Sequence, residues 1–144
     1  FCAFYLADPG PAGGFGVFDS DRRAKPALRA LTDACRPVIV VGEPLPTSVG
    51  VGEVYEIAIH VVSDLHESLR DGVVSATIHH ADGTTDVHRW GGDLEADSVA
   101  RIALLSVPAL RPGALTVELA LTAVADNAEN GEITAHGSVK TTVS

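Results

Sequence analysis

Methionine is absent from all 144 residues. Phe1 is therefore read as a cut end and not as a translation start. Cysteine occurs only twice, at Cys2 and Cys35, too few and too far apart for a CxxC or zinc spacing. The two are expected to be buried reduced thiols; a disulfide between them would need an oxidising compartment. Aromatic residues make up only 5% of the chain, and Trp90 is the one tryptophan. Sugar-binding modules usually present several exposed aromatics, so no tight oligosaccharide binding is expected from residues 37–144. Positive charge is also short: 10 Lys and Arg against 19 Asp and Glu give a net charge of -9 and a pI near 4.9. A phosphate backbone would repel such a surface, which argues against nucleic acid as a partner. No apolar run approaches the roughly 20 residues that span a bilayer, so no membrane partner is expected. The opening FCAFYLADPG lacks a basic flank and is interrupted by Asp8, unlike a signal peptide; the cytoplasm is the favoured location. No GxSxG elbow occurs, and there is no internal repeat or low-complexity tract.

What is present is 46% hydrophobic, enough for a real core and against disorder. The length suggests about one domain, but two kinds of chain follow one another. Residues 1–6 form an almost wholly apolar run, as in a strand buried on both faces. Asp8, Pro9, Gly10, Pro11, Gly13 and Gly14 break it. Pro26 suits the first position of a helix, where a missing N–H costs nothing. Ala27, Leu28, Leu31, Ala34 and Cys35 then recur at helical spacing on one face, with Lys25, Arg29 and Asp33 elsewhere. Pro37 ends the helix by pushing Arg36 out of helical geometry. One strand and one helix cannot cover their own apolar surface, so residues 1–36 read as the last βα unit of a larger parallel fold.

The run LADPGPAGGFGVFDSDRRAKPAL resembles the end of the catalytic barrel in glycoside hydrolase family 2, nearest its β-mannosidase-like members. Leu6, Asp8, Pro11, Asp19 and Lys25 follow the order of the family's eighth strand, turn and helix start. Phe4 stands where the family often has Trp, Tyr5 where it has Gln and Ala7 where it has Asn. Gly14-Phe15-Gly16 replaces a Ser-Trp-Ser-like turn. The RPVIVV that opens a β-rich region also matches the family's layout. The resemblance implies that residues 1–36 are the terminal strand, loop and helix of a truncated (β/α)8 barrel. A whole barrel takes about 250 residues, which this chain cannot hold.

Residues 37–144 carry strand signals at regular spacing. Residues 38–41 are one short strand, followed by a turn region at 42–46. Tyr55, Ile57, Ile59 and Val61 alternate with Glu56, Ala58, His60 and Val62. A turn is expected at 69–72. Val74, Ala76 and Ile78 then alternate with Ser75, Thr77 and His79. Ala81-Asp82-Gly83 signals a hairpin, with the return strand over 84–90, ended by Gly91-Gly92. Residues 99–107 follow, with Ile102 and Leu104 on one face. Leu115, Val117, Leu119 and Leu121 alternate with polar or small residues, 127–131 turns, and 133–143 closes. Seven or eight short strands in about 100 residues indicate an all-β, immunoglobulin-like sandwich. The Cys…Trp…Cys pattern of antibody domains is missing, so a fibronectin-like variant fits better.

Candidate sites are few. His60, His66, His79, His80, His88 and His136 raise a metal, with His79 and His88 on strands paired across the Asp82-Gly83 turn. Zinc needs three or four converging ligands, so solvent-facing histidines are expected and no metal or cofactor is assigned. Asp93, Glu95 and Asp97 fall in an expected loop after Trp90 and could offer oxygens to calcium or form a solvated acidic connection. Trp90 is expected to pack at a strand end or a domain interface. By resemblance, the parent is a retaining β-glycosidase whose two catalytic glutamates belong to upstream strands. No glutamate precedes Glu43, so no catalytic residue is expected here and the chain itself should be inactive. The expected function is thus a non-catalytic accessory domain beside the barrel of a β-mannosidase-like enzyme acting on a carbohydrate substrate. The alternatives are a carbohydrate- or protein-binding immunoglobulin-like module and a plain structural spacer. Self-association through residues 1–35 is expected wherever the apolar βα unit is left uncovered.

Overall fold

A computed structural model describes residues 5–11, 13–126 and 131–144. The chain divides into two compact units, Phe1–Arg36 and Pro37–Ser144. The expected strand at 1–6 lies mostly outside the described residues, as do Cys2 and most of the turn at 127–131.

In the first unit the described residues form a loop closed by short bridges and a helix. Ala7 pairs with Phe18 in parallel, and Phe18 with Ala24 in antiparallel fashion. Helix α1, Pro26–Ala34, begins with proline in its first turn and ends as the Cys35 N–H donates to the Leu31 carbonyl at 3.0 Å. None of its residues is buried. Cys35 is exposed, contrary to the sequence expectation: it follows α1, whose own residues are all unburied.

The second unit is a β-sandwich of eight strands among the described residues. They are β1 (Val38–Gly42), β2 (Ser48–Val49), β3 (Val54–Ser63), β4 (Leu69–His79), β5 (Thr85–Leu94), β6 (Ser98–Pro108), β7 (Gly113–Ala125) and β8 (Glu132–Val143). One sheet has the order β1-β3-β6, the other β2-β8-β7-β4-β5. The alternation read from the sequence points Ile57, Ile59 and Val61 of β3 inward. They meet Val74, Ala76 and Ile78 of β4 and Leu115, Val117, Leu119 and Leu121 of β7 in one buried cluster. The expected hairpin forms at Gly83, whose φ of 85° glycine adopts without strain.

The chain changes sheets at one lateral edge. After β1, residues 44–46 with Pro44 and Pro46 interrupt pairing, and β2 joins the other sheet in parallel with β8. Beside this switch Gly137 of β8 lies so close to β1 that a Cβ there would stand 2.2 Å from the Val40 carbonyl oxygen. Only glycine permits that approach.

Three local expectations fail, two of them because sheets tolerate bulges that shift the alternation. The turn expected at 69–72 is the start of β4, where the register slips between Leu69 and Gly72 and Asp71 takes a φ of 51°. The return strand does not stop at Gly91-Gly92 but runs to Leu94, so Asp93 belongs to β5 and not to a loop. A slip in the pairing of β3 with β6 after Ile59 turns Ile102 toward the core and leaves Leu104 56% exposed.

Candidate functional site

The other lateral edge of the sandwich is open. It is bounded by β5 and β6, the outer strands of their sheets. Trp90 pairs with Val74, His88 with Ala76 and Asp86 with Ile78. Directly paired residues share a face, so Asp86, His88 and Trp90 stand on the face of the large sheet that elsewhere forms the core. Yet β5 is exposed along nearly its whole length, because the three-stranded sheet does not extend over it.

At this edge lies a cavity of about 270 Å³, lined by Gly72, Val74, Trp90, Gly91, Gly92, Asp93, Leu94, Ile102 and Leu121. Its origin is legible residue by residue. On β5 the inward positions are Trp90, Gly92 and Leu94. Leu94 is buried, Trp90 packs partly against the core, and Gly92 between them contributes no side chain. A Cβ at Gly92 would meet nothing within 4 Å. The indole is backed by His88, whose ring lies 6.1 Å away and nearly parallel, at 11°. Such offset pairs hold aromatic rings in a fixed orientation.

The opposite face of the large sheet carries a charged cluster. The Arg70 guanidinium donates to both Asp126 oxygens, at 2.9 and 3.1 Å, and to Asp93 Oδ2 at 3.2 Å. These bonds, Asp126 first and then Asp93, raise the already high arginine pKa further. Asp93 Oδ1 also accepts the Asp71 N–H at 3.1 Å. Asp93 falls between the inward positions Gly92 and Leu94, so its carboxylate stands on the face of the sheet opposite Trp90.

The remaining candidates do not converge. His79 and His88 lie on adjacent strands, as the hairpin implies, but His79 pairs with Thr85 and His88 with Ala76, which puts them on opposite faces. His79 Nε2 lies 3.2 Å from Glu118 Oε2 without good hydrogen-bond geometry. His80 is buried, with Nε2 2.9 Å from Asp86 Oδ2. His60 sits opposite Arg101 and His136 opposite Ala120, while His66 is exposed. Asp93 is committed to Arg70. The Glu95 carbonyl accepts the Ser98 hydroxyl at 2.6 Å, and the Asp97 N–H donates to the Leu65 carbonyl at 2.8 Å. Among the described residues no three His, Cys, Asp or Glu side chains gather as a metal set. Glu43 accepts the Ala58 N–H at 3.2 Å, a structural contact.

In the first unit the sequence motif closes into a network. Asp8 is buried, and its Oδ2 accepts the Lys25 ammonium at 2.8 Å, across 17 residues of chain. Lys25 also donates to the Gly14 carbonyl at 2.9 Å, and the Gly16 N–H donates to Asp8 Oδ1 at 2.7 Å. The Lys25 bond above all, aided by the Gly16 N–H against the cost of burial, holds the Asp8 carboxyl below its usual range. Asp19 accepts the N–H groups of Asp21 and Arg23 at 2.9 and 2.8 Å. Phe15, between these glycines, is 86% exposed.

Sequence reasoning identified Trp90 but missed the cavity. The signal was available in Gly92, a glycine at an inward strand position, but the strand was expected to stop before it.

No helix of the described residues is long and apolar enough to cross a membrane. No protein-family model and no curated protein matches the chain. Among solved structures, the crystal structure of a CARDB domain from Pyrococcus furiosus, in complex with di-metal ions, aligns with a TM-score of 0.52 at 20% identity. It covers 74% of this chain and 85% of that one. The solution structure of the same domain gives 0.52 at 19% identity, covering 74% and 94%. A PapD-like domain of a human protein aligns at 0.46 and 11% identity, over 73% of this chain and 84% of that one. At such low identity the CARDB likeness speaks for the fold alone: an immunoglobulin-like β-sandwich.

Proposed function

We propose that residues 37–144 are a non-catalytic immunoglobulin-like accessory module of a β-mannosidase-like glycosidase, and that residues 1–36 are the end of its catalytic barrel. The observation that carries this reading is the Asp8–Lys25 pair. Two of the residues that carried the resemblance, far apart in sequence, form one partly buried ion pair. Gly14 and Gly16, which replace the family's turn, complete it through their backbone. A run that resembled the family by chance would not be expected to join its matching residues in space. Catalysis then belongs to two upstream glutamates in a retaining mechanism. The test is twofold. The reading frame upstream of Phe1 should encode a barrel with two facing glutamates, and this chain alone should leave aryl β-mannosides intact. Turnover by the purified chain, or an upstream frame without a barrel, would refute it. If the apolar face of α1 is covered in the parent, the chain alone should self-associate through residues 1–35. Light scattering on it and on a version starting at Arg36 checks this; two monomers would exclude it.

The cavity at Trp90 favours a second reading, in which the sandwich itself binds carbohydrate. A partly buried indole on a sheet face that is otherwise exposed is the kind of apolar surface that sugar rings stack upon.

A further inference from the structure

We propose that the outer face of the three-stranded sheet pairs two copies of this chain, about a two-fold axis lying along the row of Ala58 and Leu104. On β3, Ile57, Ile59 and Val61 are buried in the core, so Glu56, Ala58, His60 and Val62 point outward. Directly paired residues share a face, and the pairing of β3 with β6 sets out five rows there. Val62 and Val99 form the first, His60 and Arg101 the second, and Ala58 and Leu104 the third. Glu56 and Ser106 form the fourth, Val54 and Pro108 the fifth.

Much of this face is apolar and bare. Val54 is 60%, Leu104 56% and Val99 70% exposed, and contiguous apolar surface marks an interaction site. The order of the rows selects the occupant. From either end it runs apolar, charged, Ala and Leu, charged, apolar, but the charge is basic on one side of the middle row and acidic on the other. A contact between identical patches must be complementary to itself, and this order meets that condition. Rotation about the middle row brings Glu56 of one copy over His60 and Arg101 of the other, and Val54 over Val62. At the axis the short Ala58 stands beside Leu104, so the two leucines meet without a second bulky pair holding the sheets apart. The bulge after Ile59 is what turns Leu104 to this face. Glu56 and Arg101 are both exposed, and the ion pairs among the described residues include neither. Glu56 lies about 13 Å along β3 from His60, the neighbour of Arg101, so the two charges do not meet within one copy.

Size sets the strength. The face is three strands wide and ten residues long on β3, about 450 Å² at ordinary strand spacings. A standard interface buries about 800 Å² per partner, so the pair is weak and depends on concentration. The whole chain is followed by light scattering from about 10 to 500 µM. The average mass should rise with concentration, and Leu104→Glu should weaken the association at least about tenfold with an unchanged melting temperature. Glu56→Arg and Arg101→Glu should each weaken it about fivefold, since the axis repeats each pair. The double variant should restore it, which loss of packing alone would not do. A mass that stays that of the monomer overturns the proposal. Association unchanged in Leu104→Glu also overturns it and leaves residues 1–35 as the contact. Loss in both charge variants without recovery in the double variant overturns the two-fold arrangement and assigns the face to a different occupant. None of these outcomes touches the upstream-barrel reading, which stands or falls on its own test.

Discussion

The two lateral edges of the sandwich differ through the same residue type. At one edge Gly137 lets the backbones of β1 and β8 come closer than any side chain would allow, and the chain crosses between sheets to seal it. At the other, Gly92 leaves a gap that nothing fills, and β5 stands exposed. A glycine thus closes an edge where backbone presses on backbone and opens it where a side chain was needed for packing. What decides is the neighbour and not the residue.

Substitutions that exchange these outcomes are the direct way to probe the contrast. The largest effect is expected beneath the sealed edge. The Leu119 Cβ lies 3.8 Å from where a Cβ on Gly137 would stand, and its side chain is buried. Leu119→Ala should cost about 2–5 kcal/mol, the usual price of a core cavity, measured by urea unfolding. A loss under about 0.5 kcal/mol, typical of surface positions, would mean that β7 does not face the core there. Gly137→Ala comes next. Its Cβ would meet a backbone carbonyl that cannot rotate away, so about 1–3 kcal/mol of overpacking is expected. An unchanged midpoint would show that β1 yields freely and the edge is not sealed. Gly92→Leu, at the open edge, should stay within about 0.5 kcal/mol of the parent. A large loss would show that the notch is occupied by structure and not space.

The smallest expected effect is one of pH, at the Glu53–Tyr55 hydrogen bond. Tyr55 holds Glu53 below its ordinary 4.5, helped by the Gly50 N–H. Glu53 in turn raises Tyr55 above 10.0. A depressed carboxyl stabilises the fold above its unfolded value and loses that contribution as the pH falls through its folded one. A raised phenol does the reverse, stabilising below 10.0 and failing as the pH rises through its folded value. Tyr55→Phe should therefore lower the melting temperature by a constant small amount across neutrality. The difference should shrink below about pH 4 and above about pH 10. A difference that is the same at all three would assign the effect to packing.

Much of the fold was legible because alternation is a strong signal when one face is buried. Ile57, Ile59, Val61, Val117, Leu119 and Leu121 were placed correctly on that ground alone. What failed was local. Bulges at Asp71 and beside Ile102 shift the phase of the pattern, and nothing in residue type announces them beyond a turn-forming Asp-Gly pair at 71–72. The two-residue strand β2 was missed because its place depends on β8, about a hundred residues away. The candidate site was half legible: Trp90 was singled out as a lone indole, but the notch beside it follows from the register of Gly92. That register was unreadable once Gly91-Gly92 was taken as a stop signal. In the first unit the network around Asp8 joins residues that the resemblance had already set in order.

The parallel pairing of β2 with β8 has a consequence for how the domain is made. Ser48 and Val49 lie beside Thr142 and Val143, and the large sheet places β8 between β2 and β7. During synthesis β2 leaves the ribosome long before its partner exists. Until β8 arrives, β7 is itself an unprotected edge, rich in apolar residues. Contacts of such long range form slowly, and unpaired strands that wait for them are prone to pair with other chains. The sandwich cannot close from its beginning onward. Its last strand is the one that completes it.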